Sequence, residues 1–354
     1  MKSPYANLPD RAYWRTGVAA RTPLDPGDIY TPKFPIAPST RILTAGSCFA
    51  QHVGRALRGA GFGVIDTEPV PDILDDEVAQ RFGYRLYSAR YGNIYTIRQL
   101  RQLLAEVDGT FTPALPVWER DGQFHDALRP NVEPDGLPAP EDVTRHRAAH
   151  LDCVRAAVEA CDLVVFTFGL TEAWEHRATG TVYPTAPGTI AGDYDPEVFA
   201  FRNYGYEAVR DDFLAVRERM RAANPEVRFL VTVSPVPLTA TASGRHVEVA
   251  TAHSKAILRA VCGTLEAELD DVDYFPSYEI ITSPSTRGMF YDTNLRSVTA
   301  AGVATAMGAF LRAHGQSPDL PPRRVRLSSN RSPITAASAR DVVCEDVLLE
   351  AFAR

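Results

Sequence analysis

A glycine that closes a short apolar run, followed by Ser47 and Cys48 and then by an amphipathic stretch, is a place where a nucleophile can be built. A side chain in such a strand-to-helix turn points off the edge of a sheet. The N–H groups at the start of the helix can hold a thiolate or a developing oxyanion. Cys48 stands two residues after Gly46, where the helix begins. Its chemistry would be attack on an acyl carbonyl. The same spacing has a plainer reading, a small buried residue filling a tight turn.

Ligands of open α/β sheets bind beyond the carboxyl ends of the strands. The residues that follow each apolar run are therefore the next candidates. After the run 161–169 come Leu170, Thr171 and Glu172, led by Gly169. The run 227–236 leads into Ser234, Pro235, Val236 and Pro237. After 272–277 come Tyr278 and Glu279, and further on Tyr291 and Asp292. Thr171 and Glu172 also suit the opening of a helix after a strand. Glu172 could instead orient a base or bind a substrate hydroxyl.

These candidates need elements to hold them. TRILTAGS (40–47) has β-branched residues in a short apolar run and predicts a strand. FAQHVGRALRGAG (49–61) spaces Phe49, Val53 and Leu57 by four, which makes one helix face, and Gly61 stops it. FGVID (62–66) predicts a second strand. Helices are expected over 145–160, 206–224, 246–269 and 298–315, and strands over 161–169, 227–236 and 272–277. This alternation predicts an open, doubly wound parallel sheet. Residues 67–144 break the rhythm and read as an insertion with a helix over 97–107. Residues 1–38 read as an arm on the surface. The tail from 316 to 354 starts Pro-rich and predicts a terminal helix over 340–352.

Composition excludes several function classes. The chain has 354 residues, 45% hydrophobic and 23% charged, which suits a folded globular protein. Its net charge is −7 and no basic run is visible, which argues against a nucleic-acid partner. The five cysteines (Cys48, Cys153, Cys161, Cys262, Cys344) form no CxxC and suit reduced thiols in a cytoplasm. No apolar run approaches the roughly 18 residues of a membrane helix, and the N-terminus lacks a signal-peptide core. There is no GxGxxG after a strand, no phosphate-binding GxxxxGK[ST] and no metal-ligand spacing, so neither cofactor nor metal is expected.

GSCFA (46–50) resembles the name-giving motif of the GSCFA domain family, which is allied to the SGNH (GDSL-like) hydrolases and acyltransferases. YGNIYTIRQLRQLL (91–104), DALRP (126–130), TFGLTEAW (167–174), TVSPVPL (232–238), SKAILRA (254–260) and YFPSYEI (274–280) are similar to the family's blocks, in its order. The resemblance covers residues 38–315. It implies a three-layer α/β/α sandwich and ester, thioester or other acyl chemistry. The relatives open with Gly-Asp-Ser, whose Ser is the nucleophile. Setting Gly46 on that Gly puts Cys48 at the Ser position and makes Ser47 the second choice. Their Gly-x-Asn-Asp becomes Gly169-Leu170-Thr171-Glu172, with Thr171 in place of an oxyanion-hole Asn. Their Asp-x-x-His falls on Asn294 and Ser297, so the usual dyad is absent.

A base must then come from elsewhere. His246 leads a helix near the same sheet edge and is the favoured base, because it comes from a loop rather than from within a helix. His52 lies four residues after Cys48, on the same helix face. His253 follows further along the later helix. Lys255 could bind an anionic group or form a salt bridge. The expected function is acyl transfer or ester hydrolysis on a small molecule or glycan that carries an acyl group, with transfer favoured. The rival is a protein that binds such a ligand without turnover. The sequence leaves the acyl donor, the acceptor and the oligomeric state open.

Overall fold

The run Leu163–Phe168 is apolar but for one threonine and is buried at every residue, as a strand covered on both faces must be. It lies at the centre of a five-stranded parallel sheet. A computed structural model describes residues 3–316 and 345–352. The chain enters the sheet with β1 (Arg41–Gly46) and turns into α1 (Phe49–Gly59), then makes a short β2 (Gly63–Val64). Next come α2 (Asp76–Arg81), α3 (Ile97–Val107) and the hairpin of β3 (Val117–Arg120) and β4 (Gln123–Asp126). The long α4 (Pro140–Ala160) leads back to β5 (Leu163–Phe168). Strands β6 (Glu172–His176), β7 (Val182–Tyr183) and β8 (Phe199–Asn203) form a separate antiparallel sheet. Then follow α5 (Tyr206–Ala223), β9 (Arg228–Val233), α6 (Val247–Glu268), β10 (Val272–Tyr274), α7 (Ser277–Thr282) and α8 (Ala300–Ala313).

The parallel sheet has the order β10-β9-β5-β1-β2. The chain leaves β1 toward β2 and returns on its other side as β5, so the order reverses between β1 and β5. Crevices for ligands form at such a switch point. Helices cover both faces, which gives the expected three-layer α/β fold. Val154, Phe213 and Leu258 from α4, α5 and α6 pack on one face in the larger core. Val53, Ile280 and Phe310 from α1, α7 and α8 pack on the other. The end of the N-terminal segment is not merely superficial, because Tyr30, Phe34 and Ile36 are buried in that second core.

Several elements differ from the sequence pattern. The last strand ends at Tyr274 rather than 277, because Pro276 cannot donate to a ladder and Ser277 already starts α7. The second strand shrinks to Gly63–Val64. Thr171 and Glu172 do not open a helix. Glu172–His176 pair with β8 instead, and Trp174 lies opposite Phe201, an aromatic cross-strand pair that rewards the ladder. Of the terminal helix expected over 340–352, only Glu345–Phe352 lies among the described residues, as 3-10 turns.

Residues 65–139 are fastened down by buried ion pairs. Asp126 accepts from Arg129 Nε at 2.7 Å and from Arg147 Nη1 at 3.1 Å. Arg147 also pairs with Glu106 of α3. Glu68 accepts from His150 Nδ1 at 2.7 Å and from the Arg90 N–H at 2.6 Å. These bonds tie α3, the hairpin and the segment around Glu68 to α4.

Two outcomes are expected. Burial pushes the Asp126 carboxyl up, but Arg147 and Arg129 outweigh it and hold the group at about 2, below its ordinary 3.8. The ionised carboxylate therefore stabilises the fold above about pH 4, and that gain is lost as pH falls toward about 2. Asp126→Asn should lower stability at neutral pH by about 3 kcal/mol and flatten this acid limb in parallel urea melts. Gly46→Ala should cost about 3 kcal/mol or prevent folding, for a reason given by the geometry of its turn. An unshifted unfolding midpoint would refute it.

Candidate functional site

Gly46 is held at φ +136°, and a Cβ there would stand 2.5 Å from the Thr167 carbonyl oxygen. No other residue fits that turn. Directly beyond it, the Ser47 N–H donates to the same oxygen at 3.1 Å. Gly169 closes in from β5, where an added Cβ would meet Ser47 Cβ at 2.7 Å. The ends of β1 and β5 thus meet at the switch point with no side chain between them. Cys48 becomes the N-cap of α1, in helical conformation. Its side chain shares the helix surface with His52, whose ring is half-buried against Phe49. Cys48 is 6% exposed and Ser47 2%. The hydroxyls of Thr44, Ser47 and Thr167 are buried beside this turn with no hydrogen-bond partner among the described residues.

The loop after β5 is tightly engaged. Gly169 and Leu170 both donate their N–H groups to the Tyr95 carbonyl, at 3.1 and 3.0 Å. The Thr171 N–H donates to Ser254 Oγ at 3.0 Å, and the Thr171 hydroxyl donates to Asn203 Oδ1 at 2.7 Å. Lys255 is 2% exposed and donates from Nζ to the Gly169 carbonyl at 2.7 Å. This bond ties α6 to the loop after β5. At the start of α1 the Ala50 and Gln51 N–H groups donate to the Ser47 and Cys48 carbonyls at 2.8 and 3.2 Å, so this helix end offers its dipole rather than a row of free amides. Residues 87–95 run across the end of β1. The Ile94 N–H donates to the Gly46 carbonyl at 2.9 Å, and Tyr87 donates to the Ser47 carbonyl at 3.1 Å.

The remaining candidates lie in separate segments of the chain. Glu172 is buried, and one of its oxygens accepts from the Thr241 hydroxyl at 2.9 Å. Burial pushes its carboxyl up, opposed by that bond and by His253. Ser234 is buried and braces its own loop, since its hydroxyl accepts from the Val236 N–H at 3.3 Å. Tyr278 and Glu279 lie in α7 rather than in a loop. Glu279 pairs with Arg259 and accepts from Tyr274 at 2.8 Å. Asp292 joins a turn in which its N–H donates to the Ser297 carbonyl at 2.9 Å. Asn294 and Ser297 bond each other at 2.9 Å. His246 is exposed and caps α6, with Nδ1 accepting from the Glu248 N–H at 3.2 Å.

Sequence reasoning missed Arg296. It is 8% exposed, and its Nε donates to the Pro237 carbonyl at 3.1 Å. Together with the Tyr291 hydroxyl on the Pro235 carbonyl at 2.7 Å, it ties the last loop to the loop after β9. The available signal was that Arg296 is the single cation between Arg287 and Arg312. Tyr95 and Asn203 were also missed as partners of the loop after β5.

A model of the GSCFA family matches residues 41–310. The chain belongs to the GSCFA family. The matched GSCFA region begins with the first residue of β1 and ends inside α8, so it includes the whole parallel sheet and every loop described above. Searches of curated proteins and of solved structures return no match. Among the described residues no three His, Cys, Asp or Glu side chains group as metal ligands, and no helix is long and apolar enough to cross a membrane.

Among the described residues this GSCFA chain has three further free thiols, Cys153, Cys161 and Cys262. Burial pushes Cys161 up to about 12 and pushes Cys262 higher still. Cys153 is raised as well, chiefly by burial. Iodoacetamide at about pH 8 should therefore leave Cys161 and Cys262 unmodified in the native protein and label them only after denaturation. Peptide mass spectrometry reads this directly, and native labelling of Cys262 would contradict it.

Proposed function

We propose that this protein is an acyl-transfer enzyme, with the Cys48 thiol as nucleophile. The observation that carries the reading is the place of Cys48. It caps α1 at the switch point between β1 and β5, where the helix dipole can favour a thiolate and an oxyanion. The likeness of Gly46-Ser47-Cys48 to the Gly-Asp-Ser of SGNH enzymes supports the same residue. Cys48 Sγ attacks the acyl carbonyl of an ester or thioester donor. A C–S bond forms, the donor's C–O or C–S bond breaks, and the leaving group departs with a proton. An acceptor hydroxyl then attacks the acyl-cysteine, takes the acyl group and returns its proton through the base.

The base is proposed to be His52, one helical turn from Cys48. His246, which leads α6 from the loop after β9 and whose Nδ1 accepts from the Glu248 N–H, is the other candidate. Asn294 and Ser297 stand where SGNH relatives carry Asp and His, so no such pair is there to activate water. That favours an acceptor hydroxyl over hydrolysis. Such a thiol works in a reducing compartment, which is why a cytoplasmic location is part of the proposal. Ser47 is the alternative nucleophile, on the strength of its unpartnered buried hydroxyl. The second reading, ligand binding without turnover, is favoured by the deep burial of both side chains.

The test is incubation with p-nitrophenyl and thioester acyl donors, followed by intact and peptide mass spectrometry. A stable acyl adduct should map to Cys48. Cys48→Ala should abolish it, and His52→Ala should slow its formation by about 100-fold. An effect of that size from His246→Ala with none from His52→Ala would reassign the base. An adduct on Ser47 would reassign the nucleophile. No adduct from any donor, with Cys48 inert to thiol reagents, would leave the binding reading in place.

A further inference from the structure

Between the antiparallel sheet and the loop after β9 lies a cavity of about 200 Å³. Leu170, the residue after Gly169, forms part of its wall, which sets the cavity beside the turn that holds Ser47. Leu349 of the C-terminal turns also lines it. Its walls combine two chemistries. Trp174, Tyr183 and Phe201 bring aromatic rings, and Trp174 and Phe201 are only half-buried. Glu172 brings the one carboxyl group, whose Oε1 is taken by Thr241 and whose Oε2 has no partner among the described residues. Thr185, 6% exposed, and Thr239 also line the cavity, and their hydroxyls are buried with no partner among the described residues.

A purely apolar ligand would leave both threonine hydroxyls and the free carboxylate oxygen unsatisfied. An anionic ligand would meet a like charge at Glu172, and an organic cation would suit the rings and the carboxylate but leave the buried Thr185 and Thr239 hydroxyls unsatisfied. A compact polyol with apolar C–H faces satisfies both halves. Its faces lie on the aromatic rings, and its hydroxyls donate to Glu172 and exchange hydrogen bonds with Thr185 and Thr239. We propose that this cavity binds a pyranose ring, and that a hydroxyl of this sugar is the acceptor of the acyl group. The second half of the proposal rests on the acyl-transfer reading. In that step the sugar hydroxyl oxygen bonds to the acyl carbon, the C–S bond to Cys48 breaks, and the hydroxyl proton goes to the base.

The experiment separates the two halves. Saturation-transfer NMR on the full chain carrying Cys48→Ala measures binding of methyl glucoside, galactoside and mannoside with no thiol to acylate. At least one should bind with a dissociation constant in the range of about 0.1–10 mM. Adding Trp174→Ala or Glu172→Gln should weaken it about tenfold or more, and the isosteric Thr185→Val should weaken it severalfold, with unchanged circular dichroism for all three and an unchanged melting temperature for Glu172→Gln and Thr185→Val. No binding by any glycoside up to about 50 mM, or binding indifferent to all three substitutions, overturns the sugar site even if Cys48 is acylated. Sugar binding with no acyl adduct from any donor keeps the site and removes the acyl-transfer reading.

Discussion

The contact that the rest of the site depends on is the approach of Gly46 to Thr167. A single side-chain carbon on Gly46 would overlap the backbone of β5. Without it, the first turn after β1 can fold flat against the neighbouring strand. Ser47 then bonds back to β5, and Cys48 is delivered to the first position of α1. Gly169 meets the same requirement from the other side. Two glycines thus remove the side chains that would otherwise hold the two strand ends apart at the one place where the sheet order reverses.

The closeness of this junction has a chemical consequence. The loop after β5 cannot offer its amides freely, because Tyr95 and Ser254 already take three of them in succession. The Ala50 and Gln51 amides at the start of α1 are engaged as well, by the Ser47 and Cys48 carbonyls. The segment that supplies Tyr95 and Ile94 is itself held by the cap of α3, where Thr96 and Gln99 bond reciprocally. Behind it, the ion pairs of Asp126, Arg147 and Glu106 keep α3 and α4 in register. The wall over the Gly46-Ser47 turn is therefore continuous with a buried polar network rather than a free loop. Such networks cost desolvation and gain specificity of position only when fully paired.

Much of the fold was legible in local patterns. The β1–α1 unit, α3 and β5 follow from apolar spacing, an N-cap Thr and a run of buried β-formers. The antiparallel sheet was not legible, because Glu172–His176 carry a helix-opening pattern that pairing with Phe199–Asn203 overrides. Nor did β10 keep its expected length, since a single proline and the packing of α7 decided its end. Gly46, Ser47 and Gly169 adjoin at the ends of β1 and β5, Cys48 caps α1 next to them, and Thr171 and Glu172 lead into β6. Glu279 and His246 are occupied by Arg259 and a helix cap, roles that spacing along the chain does not reveal.

The sequence by itself determined where the Gly46-Ser47-Cys48 turn lies, which strands form the parallel sheet and which family the chain joins. Each of these rests on residues within a few positions of one another. The tertiary structure decided which polar groups are still free to act. Lys255 reaches Gly169 across 86 residues, Thr171 reaches Asn203 across 32, and Arg296 reaches Pro237 across 59. Such partners are set by strand order and by which loop lies over which strand end. No local periodicity encodes that order, so only the folded chain shows which donors are spent and where an unsatisfied cavity remains.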